Sequence, residues 1–127
     1  MSSKIPVDLL YTKTHQWLKK EDGIAVIGIT DYAQKELGTL TWVEFPEPGK
    51  KIKKEQPAAS VESIKAVSDV MSPISGTVLE VNSKLENNPE ICNRDPYNEG
   101  WLIKMKIEDE NQNLLTAKEY ERLLNSK

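Results

Sequence analysis

The chain predicts a mainly β fold, a sandwich or barrel of short strands with a terminal helix packed on it. Short apolar runs such as "IAVIGI", "LTWVEF" and "TVLEV" are separated by Gly, Pro, Asn and Asp clusters. "WLIKMKI" alternates with period two. Strong helix signals collect at the C-terminal end.

"HQWLKK" followed by "GIAVIGI" reads as a hairpin turning at Glu21-Asp22-Gly23. Ile24 to Ile29 is apolar on both faces and predicts a central strand. Thr30-Asp31 caps a short helix, Tyr32 to Leu37, which Gly38 ends. "LTWVEF" is a strand closed by Pro46 and Pro48-Gly49, and "GKKIKKEQP" a loop or edge strand. "AASVES" and "VSDVMS" flank Lys65, and "TVLEV" follows Pro73 and Gly76. The polar stretch before Trp101 has room for one short helix. Trp101, Ile103, Met105 and Ile107 then face one way, and Lys104 and Lys106 the other. Thr116 to Leu124 is a helix: Thr116 and Glu119 make a capping box, and Leu115 with Tyr120 a hydrophobic staple. About six to eight strands and two or three helices result, which suits a sandwich or barrel.

At 127 residues the chain suits one domain spanning 1–127, long enough to bury a core without disulfides. A formal net charge of −3 argues against general nucleic-acid binding. No apolar run approaches the roughly 18 residues of a membrane helix. "MSSKIPVDLL" reads as neither signal nor transit peptide. A cytoplasmic protein is the simple expectation. A mature mitochondrial matrix protein without its presequence would look the same.

Familiar catalytic motifs fail. His15 is the one histidine, so a two-histidine metal site is excluded, and it reads as an ordinary surface or packing residue. Cys92 is the one cysteine and has no histidine near it in sequence. Lys50, Lys51, Lys53 and Lys54 read as a solvated edge that resists aggregation. The 101–107 stripe reads as core.

Lys65 is different. Fold "VESIKAVSD" as a hairpin and Lys65 lands at its tip. Val61 would face the core on one arm and Val67 or Met71 on the other. The turn lacks Gly, Asn and Pro, so its register needs support from beneath. Pattern alone favours an ordinary exposed strand lysine.

"VESIKAVSD" with "SPISGTVLEVN" resembles the lipoyl hairpin of glycine cleavage system H proteins. "YTKTHQWL", "VIGITDYAQKELG", "VEFPEPGKKIKK", "NPEICNRDPYNEGWLIKMKI" and "AKEYERLL" extend the likeness over roughly Leu10 to Leu124. It implies a lipoyl-like β sandwich or flattened barrel, a barrel-sandwich hybrid, with short helices and a C-terminal helix. It implies lipoic acid amide-linked to Lys65 in a monomeric, non-catalytic carrier. Biotin carriers flank their lysine with methionines, and Ile64 and Ala66 do not match. In the family, a pyridoxal-phosphate glycine decarboxylase (P protein) loads an aminomethyl group onto the arm. A tetrahydrofolate-dependent aminomethyltransferase (T protein) takes the carbon, and dihydrolipoyl dehydrogenase (L protein) reoxidises the dithiol. Lipoate ligase or octanoyltransferase would install the arm, reading Glu62, Ser63, Ala66 and Asp69. The loaded arm would dock in a cleft lined by Thr14, Gln16 and Asp69.

The chain departs from the family in three places. Gln16 stands where glutamate is usual, Glu36 where histidine is frequent, and "EQPAAS" lacks an expected glycine. Glu36 would restore the missing charge if it reached the cleft. The alternative function is an H-like lipoyl donor that relays its group to oxoacid dehydrogenase subunits.

Overall fold

Asp22 and Gly23 both have positive φ, 51° and 78°, the geometry of a two-residue turn that matches strand twist. That turn joins β2 (Gln16–Glu21) to β3 (Ile24–Ile29). In the computed structural model, which describes residues 3–109 and 113–126, this hairpin lies within a six-stranded antiparallel sheet. The remaining strands are β1 (Leu10–Tyr11), β4 (Leu40–Glu44), β5 (Lys51–Ile52), β6 (Pro57–Ser63), β7 (Val67–Met71), β8 (Ser75–Val81) and β9 (Ile103–Asp109). The large sheet runs β1-β2-β3-β9-β8-β5, and a three-stranded sheet runs β4-β6-β7. The sheets face each other without closing into a barrel.

β3 is central, as its two-faced apolarity predicts, between β2 and β9. Its inward residues Ala25 and Ile27 join Leu18, Val61, Val70, Ile103 and Met105 in the core between the sheets. Its outward residue Val26 joins a second cluster, with Trp17, Tyr11 and Tyr120, under the C-terminal helix. β5 is the basic edge strand, paired only with β8.

α1 (Asp31–Leu37) begins at Thr30, whose hydroxyl accepts from Ala33 N, and ends at Gly38 with φ 80°. α4 (Ala117–Asn125) has the expected capping box between Thr116 and Glu119. The polar stretch holds two single-turn helices, α2 (Lys84–Asn87) and α3 (Ile91–Arg94), rather than one. Buried Leu85 and Cys92 anchor them to the core. The strand tally exceeds expectation because β1 and β5 are only two residues long.

Two expectations need correction. Val70, 1% exposed, is the core residue of β7, whereas Val67 is 67% exposed. The register pairs Val67 with Glu62 on the solvent face. Trp101 lies outside β9 and packs in the second cluster, because Leu102 takes the core position before Ile103. Alternation alone could not show where the strand starts.

Candidate functional site

β6 and β7 form a hairpin whose last pairs are Val61–Ser68 and Glu62–Val67. No non-glycine residue between Ser63 and Val67 has a positive φ, so the turn needs no glycine. Ser63 closes it. Its amide donates to Ala66 O at 2.8 Å, and its hydroxyl oxygen accepts from the amides of Lys65 (3.3 Å) and Ala66 (3.2 Å). The side chain of Ser63 is therefore occupied in holding the tip, and the residue is only 6% exposed. An enzyme would sense Ser63 through the shape it fixes.

Lys65 is exposed, and no ion pair among the described residues includes it. A β-carbon placed on Gly38 would meet Lys65 Cε at 3.8 Å, so the lysine stem runs beside the end of α1. The other end of α1 touches the loop before β2, where Thr30 N donates to His15 O at 3.1 Å. A seven-residue helix rises about 10 Å, which sets the span between the tip and that loop.

The loop, Thr12 to Gln16, borders a cleft of about 440 Å³. His15 takes φ 73°. Its ring packs 4.7 Å from Tyr32, and its Nδ1 lies 2.8 Å from the Tyr120 hydroxyl. Tyr120 also meets the Thr30 hydroxyl at 2.8 Å. His15 thus ties the loop to α1 and α4, a role its sequence context did not reveal.

Gln16 is 2% exposed and hydrogen-bonded at both ends of its carboxamide. Its Oε1 accepts from the hydroxyls of Thr12, at 2.8 Å, and Thr14, and its Nε2 donates to Thr14 O at 2.9 Å. Thr14 and Gln16 both line the cleft, together with Lys13, Lys54, Glu55 and Met71. Asp69 does not. It lines a groove with Glu44 and Ser60 on the outer face of the small sheet. Glu36 is exposed near the Gly38 end of α1 and is absent from the cleft lining. The carboxylate that does line the cleft is Glu55, at φ 69°. Sequence reasoning passed over it, although the missing glycine of "EQPAAS" marked that region as one of unusual backbone.

Cys92 is fully buried, and burial pushes its thiol up to about 12, which keeps it protonated and unreactive at neutral pH. Among the described residues, no three His, Cys, Asp or Glu side chains gather as metal ligands. No helix there is long and apolar enough to cross a membrane.

A two-sheet sandwich presenting one unpaired lysine on an exposed hairpin defines a prosthetic-group carrier domain. The profile of the glycine cleavage H-protein family matches residues 9–127. The glycine cleavage system H protein of Rubrobacter xylanophilus is 49% identical over 122 residues, 96% of each chain. The probable H protein of Aeropyrum pernix is 51% identical over 115 residues, covering 89% of this chain and 80% of its own. A crystal structure of the Mycobacterium marinum H protein superposes with a TM-score of 0.90 at 36% identity, covering 97% of this chain and all of that one. The chain belongs to the glycine cleavage H-protein family. Proteins of this family are non-catalytic carriers that bear lipoate on a lysine.

Proposed function

We infer that the chain is the lipoyl carrier of a glycine cleavage system, acting as one domain with lipoate amide-linked to Lys65. The observation that carries this reading is the isolated lysine at a tip whose backbone is already fixed by Ser63. The group fits there: the amine is exposed, and acylating it disturbs no packing or ion pair.

Lipoate held by Lys65 would supply a disulfide able to take up, on one sulfur, the aminomethyl group left when glycine loses carbon dioxide; tetrahydrofolate would accept its carbon with release of ammonia, and NAD would be the oxidant through which dihydrolipoyl dehydrogenase closes the dithiol again. The chain's own work is positional. Ser63 holds the tip, the lysine stem runs beside Gly38 at the end of α1, and His15 with Tyr120 fixes the loop that carries Thr14 and Gln16. Tethering keeps the reacting group at high local concentration for each enzyme in turn. A lipoate ligase or octanoyltransferase, a monomeric state and a cytoplasmic setting complete the reading.

Intact mass of natively expressed protein, with the modified peptide located, tests it. A lipoyl increment on Lys65 and aminomethyl transfer are expected, and a biotinyl increment overturns the reading. The relay function has one observation in its favour: Gln16 is neutral and its acceptor already serves two hydroxyls. Transfer of the lipoyl group from this chain to an oxoacid dehydrogenase subunit, without aminomethyl transfer, would establish that function instead.

A further inference from the structure

The arm that Lys65 would bear ends, when loaded, in a primary ammonium. The cleft beside the 12–16 loop suits such a cation poorly. Lys13 and Lys54 line it against the single carboxylate Glu55, and Gln16 is neutral. A second recess, of about 360 Å³, opens beside β4. Trp42, Phe45 and Pro46 give it apolar walls, and its charged residues are Glu44, Glu47 and Glu86, with no cation among them. Glu86 comes from α2, which packs against β4. None of the three carboxylates joins an ion pair among the described residues.

Trp42 flanks this recess because of a bulge. The register of β4 against β6 shifts between Leu40 and Trp42, with Leu40 buried at 2%. Plain alternation from Leu40 would turn Trp42 into the core. The extra residue, Thr41, whose hydroxyl donates to Glu62 O at 3.2 Å, re-aims it, and Trp42 stands 58% exposed. The lysine stem leads toward the same place. It runs beside Gly38, and Asn93 holds Gly38 to Leu40: its amide nitrogen donates to Gly38 O at 2.8 Å, and its side-chain oxygen accepts from Leu40 N at 2.9 Å. Trp42 follows two residues later. Gly38 to Trp42 spans at most about 14 Å, and an eight-carbon acyl group on Lys65 extends about 12 Å beyond Cε to its terminal sulfur, so the arm reaches the recess.

We propose that this recess, between β4 and α2, is the dock for the ammonium-bearing form of the chain's own arm, in place of the cleft beside Gln16. The proposal rests on lipoyl carriage by Lys65 and adds where the cargo rests between enzymes. The aliphatic length of the arm packs against Trp42, Phe45 and Pro46. Its ammonium donates to the carboxylates of Glu44 and Glu86, and the indole face adds attraction for a cation. An arm without its cargo carries no positive charge and loses both attractions, so it stays free for the enzyme that loads it. The dock thus discriminates between the two states of the arm by charge.

The first test titrates the unmodified chain with hexylammonium chloride, a stand-in for the end of the arm, and follows the indole N–H signals by NMR. The Trp42 signal should shift saturably, and those of Trp17 and Trp101 should stay in place. Hexanol, the uncharged control, should bind at least tenfold more weakly. Combining Glu44→Gln with Glu86→Gln should weaken hexylammonium at least fivefold, and added salt should weaken it in the wild type. Glu121→Gln, which removes an exposed carboxylate on α4, should behave as wild type. Shifts at Thr14 and Gln16 with none at Trp42 would overturn the proposal, and so would equal binding of hexanol. The second test uses the loaded chain. Water cleaves its S–CH2–N unit to thiol, formaldehyde and ammonia, and ammonia release is timed without the aminomethyltransferase. The Glu44, Glu86 double variant and Trp42→Ser should each release ammonia at least threefold faster, with unchanged melting temperature. Wild-type release in both would overturn the dock while leaving the carrier reading intact, since intact mass would still show the arm on Lys65. If the wild-type chain takes no lipoate there, both fall together.

Discussion

At the scale of single residues, Lys65 contributes almost nothing to packing, so function and stability separate cleanly there. Lys65→Ala and Lys65→Arg should melt within about 0.5 kcal/mol of wild type and incorporate no lipoate. Calorimetry and intact mass read the two effects independently. Gln16 behaves in the opposite way, because it is buried and its amide serves both as donor and as acceptor. In Gln16→Glu the hydroxyl bonds survive, but a carboxylate oxygen then faces Thr14 O without a proton between them. We expect the unmodified variant to lose about 1–3 kcal/mol. An ammonium on a docked arm would relieve that conflict, so the loaded arm should hold its amine longer, read as slower ammonia release without the aminomethyltransferase. Glu55 gives the complementary experiment. Glu55→Gly removes the strain of φ 69° but loosens the unfolded chain, two effects of about 1 kcal/mol and opposite sign. Stability should barely change. If the Glu55 carboxylate faces the amine, release becomes faster, and equal release rates would remove Glu55 from the cleft's chemistry.

At the scale of elements, short-range signals mark the ends of helices well and the insides of sheets poorly. The Thr116 cap was legible because capping needs only residues three apart, and the structure contains it. Thr116→Ala should cost about 1 kcal/mol, measured by urea denaturation. Gly28 in β3 looks like any strand glycine. A β-carbon there would stand 2.6 Å from Trp17 Nε1, and that nitrogen donates to Pro96 O at 2.9 Å. Gly28→Ala should therefore expel the indole, break the bond to Pro96 and lower stability far more than a β-propensity scale suggests, with a change in tryptophan fluorescence as the second readout. The two bulges of the small sheet were equally silent in the sequence. One puts Trp42 in solvent, while the register of the hairpin places Val70 rather than Val67 in the core.

At the scale of the whole molecule, an N-terminal strap closes the second cluster. Lys4 N donates to Asp31 Oδ2 at 2.9 Å, the Tyr97 hydroxyl donates to Lys4 O at 2.6 Å, and the Tyr11 hydroxyl donates to Pro6 O at 2.6 Å. Burial pushes the Asp31 carboxyl up. The Lys4 amide, Gln34 and the Lys35 ammonium outweigh it and hold the group below its ordinary value near 3.8. A carboxyl depressed by folding stabilises fully above that ordinary value, and the contribution fades as pH falls through the lower folded value. The stability difference between wild type and Asp31→Asn should accordingly shrink as pH drops below about 4, in thermal melts across pH. The alkaline side has the opposite sign. Burial outweighs the bond from the Asp31 amide and, with the Asp31 charge, raises the Tyr97 phenol from 10.0 to about 12, so its contribution is lost as pH climbs through that range.

The sequence by itself determined the β class, the central strand, the caps of α1 and α4, and the hairpin that holds Lys65 at its tip. Each depends on residues close together in the chain, where periodicity and turn chemistry act. The family likeness supplied the arm and the partners, which no spacing encodes. Tertiary structure alone decided the rest. It gave Ser63 the bracing of the turn and placed Asp69 on the outer face with Glu44. It tied His15 to Tyr120, 105 positions away. It also brought Glu55, rather than Glu36, to the cleft that holds Gln16. These depend on which strands pair, in what register and with which bulges. Such choices are made by burying apolar area between two whole sheets, and no window of neighbouring residues contains that information.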